Sequence, residues 1–148
     1  MKTAYSVMGL SRRFVLALTA VGLTGLTAGS VAADEPSAYV VNVSDVTAKV
    51  GEPAVMLATL KVRDGYRILT AYNNRVIRLS SWDDGVAFEQ DMVPAKVEDG
   101  ALVFKVGLKV TKPGTHPVNG LLRVGYIQGT DEMAMVSMKL IANVTGTE

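Results

Sequence analysis

The chain of 148 residues contains no cysteine and one histidine, His116. Without thiols there is no disulfide framework, no thiolate zinc site, no cysteine-ligated iron–sulfur cluster and no thiol catalysis. One histidine rules out a multi-histidine metal site within the chain and leaves nucleophilic triads a single candidate base. A third shortage is local. Residues 1–33 contain no acid, and their only bases, Lys2, Arg12 and Arg13, all precede an apolar run from Phe14 to about Gly29. The last is one of pattern: nothing after Ala33 carries a helical period.

The acid-free leader ends in Ser30-Val31-Ala32-Ala33, small residues where a signal peptidase cuts, which predicts a cleavable export signal over residues 1–33. An amino-terminal anchor is the competing reading, since both are short apolar segments behind positive charge. Asp34, Glu35 and Pro36 just after Ala33 favour cleavage. Ser11-Arg12-Arg13 matches part of a twin-arginine signal, although Ala17 stands where a base usually follows. The mature chain, residues 34–148, then holds 12 basic against 14 acidic side chains. With that balance and no basic cluster it offers no electrostatic grip on nucleic acid or anionic lipid, and it has no apolar run long enough to span a membrane.

From Tyr39 onward the period is two, with turn residues every ten positions or so. Tyr39, Val41 and Val43 share one face of a first strand. Ala54–Val62 is apolar on nearly both faces, which predicts a central strand. Arg75–Ser80 reads as a shorter strand, and Leu102, Phe104, Val106, Leu108 and Val110 line one side of the cleanest alternation in the chain. Val118–Ile127, interrupted by Gly120 and Gly125, and Met133–Val144 complete the pattern. Glycine at those places predicts either a bulge or the close approach of another backbone. Seven to nine short strands in a single domain predict an all-β, two-sheet antiparallel sandwich of immunoglobulin type. Trp82, beside the Asp83-Asp84-Gly85 turn, is expected as a lid over one end of the core.

Few side chains could carry chemistry. His116 sits in Gly114-Thr115-His116-Pro117, expected to be a turn with an exposed or edge-capping imidazole. Asp83-Asp84-Gly85 is too short a fragment of a calcium loop. An enzyme would need an unseen acid/base pair, such as Asp83 with Tyr66 or Tyr72. Met133, Met135 and Met138 are an unusual concentration of thioethers, soft ligands for Cu(I). With His116, Met133 and Met135 make a copper-binding alternative, against the commoner use of Met as adaptable filler.

The order of elements resembles a known family. A strand, Asp64-Gly65-Tyr66-Arg67-Ile68, a long middle section, then Asn119-Gly120-Leu121-Leu122-Arg123-Val124-Gly125-Tyr126-Ile127-Gln128-Gly129 and a closing strand are similar to the periplasmic amino-terminal domain of the thiol:disulfide interchange proteins DsbD. The resemblance covers roughly residues 38–144. It implies an immunoglobulin-like fold, a periplasmic setting and a partner-binding end at Tyr126–Met135. Where that family carries its redox cysteines this chain has Gly129-Thr130 and Met133-Ala134-Met135, so the reaction does not transfer, because dithiol exchange needs two thiols. The expectation is therefore a non-catalytic, periplasmic or secreted module without a cofactor. It would bind another periplasmic or membrane-associated protein through Tyr126, Gln128, Gly129, Met133 and Met135; a periplasmic Cu(I)-binding protein is the alternative.

Overall fold

The computed structural model describes residues 37–148, which form one compact unit. The leader, its cleavage site and the first residues of the expected domain lie outside the described residues. Eleven strands follow in order: β1 (Tyr39–Val43), β2 (Val46–Lys49), β3 (Pro53–Val62), β4 (Tyr66–Ile68), β5 (Arg75–Ser81), β6 (Val86–Phe88), β7 (Met92–Pro94), β8 (Lys96–Glu98), β9 (Ala101–Val110), β10 (Gly114–Gln128) and β11 (Glu132–Thr147). Among the described residues no helix is long and apolar enough to cross a membrane. The count exceeds seven to nine because β2, β6, β7 and β8, of three or four residues each, are too short to show a period of two.

One sheet runs β1-β3-β9-β6, with β8 also on β9; the other runs β2-β11-β10-β5-β7, with β4 also on β10. Period-two patterning puts the apolar face of each sheet against the other. Met56, Ala58 and Leu60 of β3 and the series Leu102 to Val110 of β9 meet Leu122 and Val124 of β10, Leu140, Ala142 and Val144 of β11, and Val76 of β5. This is an immunoglobulin-like sandwich held by apolar packing, as the alternation predicts.

Pairing is antiparallel with one departure: β2 runs parallel to β11. The chain leaves the first sheet after β1 and joins the edge of the second as β2 without reversing. Two side chains pin that crossing. Ser44 Oγ donates to the Leu57 carbonyl at 3.2 Å and accepts from the Leu57 N–H at 3.1 Å, while Asp45 Oδ1 accepts the Asn143 N–H at 2.8 Å. Neighbouring residues are thus tied to opposite sheets.

Three expectations need correction. β3 is central in its sheet, but only one of its faces is buried; Val55 and Leu57 lie exposed on the other. Trp82 is no lid, because its turn swings outward and leaves the indole 79% exposed. His116 and Pro117 belong to β10, and the imidazole is buried.

Candidate functional site

At one end of the sandwich β10 and β11 form a long hairpin, paired from Gly114↔Gly146 to Gln128↔Glu132. Its turn, Gly129-Thr130-Asp131, is exposed, as are Glu132, Met133 and Met135. Gly129 takes a left-handed φ of 58° and donates its N–H to the Gly65 carbonyl at 3.2 Å, so its role is in the turn. Arg67 Nη2 donates to the Thr130 carbonyl at 3.0 Å, tying β4 to the same turn. Gln128 ends β10, exposed, between Glu132 and Tyr66. Met133 and Met135 alternate with Ala134 and point away from the core, 63% and 65% exposed.

Tyr126 differs from these. It lies on the inward side of β10, half-buried, with its ring centroid 5.9 Å from Tyr39 and 5.7 Å from Tyr66. Such tilted and edge-on contacts add about 0.5–1.5 kcal/mol each beyond area burial. Burial holds the phenol pKa above its ordinary value, with Tyr39 and Tyr66 adding to the shift. Tyr126 therefore closes the hairpin end of the sandwich and is not the projecting anchor that the sequence suggests. The end as a whole is a rigid, exposed hairpin tip presenting two thioethers.

The copper set is not assembled. His116 pairs with Val144 and Met135 with Gly125, nine residues apart along β11, which is roughly 30 Å at about 3.3 Å per residue. Both imidazole nitrogens are also taken: Nδ1 lies 2.7 Å from Asp83 Oδ2 and Nε2 2.8 Å from the Lys112 carbonyl. The same geometry separates Asp83 from Tyr66, which sits beside Gln128 at the hairpin end, and from Tyr72, which packs on Gly125. No acid/base pair forms there.

His116 instead clasps the Asp83–Gly85 turn. Gly85 donates its N–H to Asp83 Oδ1 at 3.1 Å, Lys112 Nζ donates to the Asp83 carbonyl at 3.1 Å, and Thr111 Oγ1 donates to the Asp84 carbonyl at 2.8 Å. The imidazole lies against Gly85, where a Cβ would overlap the ring. A carbonyl and a carboxylate both accept, so this geometry favours the imidazolium, which donates from both nitrogens. The hydrogen bond to Asp83 raises the His116 pKa, and the same bond lowers that of Asp83.

Sequence reasoning missed Asn74. It is buried; its Nδ2 donates to the Leu69 and Tyr72 carbonyls, both at 3.1 Å, and its Oδ1 accepts the Gly125 N–H at 2.8 Å. This fixes the loop that lays Tyr72 across Gly125, where a Cβ would come 2.9 Å from that of Tyr72. Gly120 faces a bulge in β5. Both glycines thus accommodate the chain's own residues and not a partner backbone. The only signal for Asn74 was its residue type, which favours local backbone hydrogen bonds.

No protein-family model matches the sequence, and no curated protein matches it. Among solved structures, the seventh ScaB type I cohesin from Pseudobacteroides cellulosolvens is similar over 74% of this chain and 94% of its own, at 15% identity and a TM-score of 0.43. A likeness of that size bears on neither chemistry nor partner.

Proposed function

We propose that this chain is a non-catalytic, exported module that binds another protein through the hairpin end of its sandwich. The observation that carries the reading is the exposure of Met133 and Met135 on a hairpin tip held by the Arg67–Thr130 and Gly129–Gly65 hydrogen bonds. Exposed thioethers on a rigid support are adaptable contact groups, and Met is enriched at protein interfaces. The lone histidine is committed to a structural pair, which supports the absence of catalysis.

The resemblance to cysteine-less interchange domains fits this reading and gives it a periplasmic setting. By the resemblance that family's reactive end would fall at Tyr126–Met135, where Gln128–Met133 and Met135 are exposed and Tyr126, Ile127 and Ala134 are half-buried. Whatever that end does, it does by contact, because no sulfur here can form a mixed disulfide. The test is co-purification from the native host with the wild-type chain and with a Met133→Glu/Met135→Glu variant. Loss of a specific partner with an unchanged circular dichroism spectrum supports the proposal. A wild-type monomer that brings down nothing, or a partner retained by the variant, overturns it.

A further inference from the structure

The outward face of the six-stranded sheet is distinct from the hairpin tip in composition. Residues directly opposite one another in a sheet share a face, so the pairings identify its side chains. At outward positions stand Lys49, Arg67, Arg75, Arg78, Arg123 and Lys139, and no aspartate or glutamate. The acids around this face lie between strands: Asp83 follows Trp82, Asp45 accepts the Asn143 N–H at 2.8 Å, and Asp91 and Asp131 stand in loops. Four of the five arginines after residue 36 are on this one face.

Two features keep these cations at a cost to the fold. Arg123 lies directly opposite Arg75 in the β10–β5 ladder, a like-charge pairing that destabilises a sheet. The two ion pairs among the described residues, Lys105–Glu98 and His116–Asp83, are both elsewhere. Arg78 adopts φ 55° at the β5 bulge opposite Gly120, a region that side-chain-bearing residues seldom occupy. The bulge puts Ile77 and Arg78 consecutively outward and returns Leu79 to the core. Strict alternation would have buried the guanidinium.

Beside the bulge is a groove of about 430 Å³ lined by Arg78, Trp82, Asn119, Leu121, Lys139 and Ile141. Trp82 and Ile141 are 79% and 62% exposed. We infer that this face docks a short acidic polypeptide segment whose carboxylates alternate with apolar side chains. Guanidinium forks match carboxylates, and the exposed Trp82 and Ile141 with the half-buried Leu121 take the apolar groups between them. A second copy would set cations against cations. An extended polyanion or an anionic bilayer would run past the face onto the perimeter acids, whereas a short segment fits within it.

Trp82 is the only tryptophan in the chain and so reports directly on the groove. The probe is a synthetic ten-residue peptide alternating Glu and Leu, with a Gln-for-Glu control. The proposal expects a saturable blue shift of Trp82 emission with the Glu peptide. Binding should weaken about tenfold or more with the control, and similarly in about 0.5 M salt. Arg78→Gly, which keeps the left-handed backbone while removing the charge, and Arg123→Gln should each weaken it about tenfold with unchanged circular dichroism. Absence of a saturable shift overturns the inference. So does equal affinity for the Gln peptide, preferential binding of phosphatidylglycerol vesicles or of an oligonucleotide, or a shift on concentrating the protein alone. Because Met133 and Met135 stand at the hairpin end of this same face, the variant that separates the two readings adds no charge: Met133→Gln/Met135→Gln leaves the groove residues in place and should bind the Glu peptide as wild type does, whereas it should lose the hairpin partner.

Discussion

Nδ1 of His116 stands 2.7 Å from Oδ2 of Asp83, across 33 positions of sequence, with the ring buried and the carboxylate half exposed. The pair makes stability depend on pH in both directions. The His116 pKa is raised above 6.5 in the fold, so its contribution is complete below about 6.5 and is lost as pH rises through the folded value. The Asp83 pKa is lowered below 3.8, so its contribution is present above about 3.8 and is lost as pH falls through the folded value. Urea midpoints should therefore be highest between these limits and fall as pH rises through the folded His116 pKa. His116→Gln should flatten the alkaline arm, and a fall at high pH of unchanged size in that variant would refute the assignment.

The core makes a second prediction. Phe104 is fully buried at the centre of β9, whereas Lys105 beside it points to solvent and pairs with Glu98 at 2.9 Å. Phe104→Ala should cost about 3–5 kcal/mol through lost burial and a cavity. Lys105→Ala should cost at most about 0.5 kcal/mol, since exposed ion pairs are screened. Denaturant titration of the two variants checks the ratio; equal midpoints would mean that the strand faces the other way.

Trp82 supplies a third. An indole 79% exposed in the native state should emit as tryptophan in water, be quenched freely by iodide, and change little on unfolding. Trp82→Ala should alter stability by no more than about 0.5 kcal/mol. A blue-shifted, iodide-protected native spectrum would restore the lid over the core.

The alternation of Leu102 to Val110 and of Ala134 to Val144 revealed the sandwich because a strand with one buried face must repeat every two residues. The same logic failed where polar backbone partners decide the outcome. Gly114 and Pro117 made the His116 segment look like a turn, yet β10 continues through it. Asn143 turns its N–H away from β10 to Asp45, so Pro117 and Asn143 form a pair without ladder bonds, and the missing proline N–H costs that ladder nothing. The outward arginines were legible one by one but not as a patch, because Lys49, Arg67, Arg75, Arg78, Arg123 and Lys139 come from separate strands that only the pairing order brings together. The bulge at Arg78 left no mark in composition, and a strict period of two would have misassigned every position of β5 on one side of it.

The last prediction concerns Asn74. Its amide nitrogen faces two carbonyl oxygens, those of Leu69 and Tyr72, and its amide oxygen faces the Gly125 N–H. Only a group that donates on one side and accepts on the other satisfies all three. Asn74→Asp keeps the shape but at neutral pH sets a buried, negatively charged oxygen against two carbonyls. That should cost about 1–3 kcal/mol or more, because this oxygen is left without a donor while the other keeps the Gly125 N–H. Protonation restores an O–H that can donate to one carbonyl, so the carboxyl pKa should rise in the fold. By linkage, the destabilisation relative to wild type should be smallest in acid and grow as pH rises through the folded pKa. Asn74→Ala, which loses the bonds without adding charge, should be destabilised by an amount that does not vary with pH. Paired urea titrations of the two variants and wild type in acid and at neutral pH measure this. An Asp variant as stable as wild type at neutral pH would show that Asn74 does not hold the Tyr72 loop on Gly125.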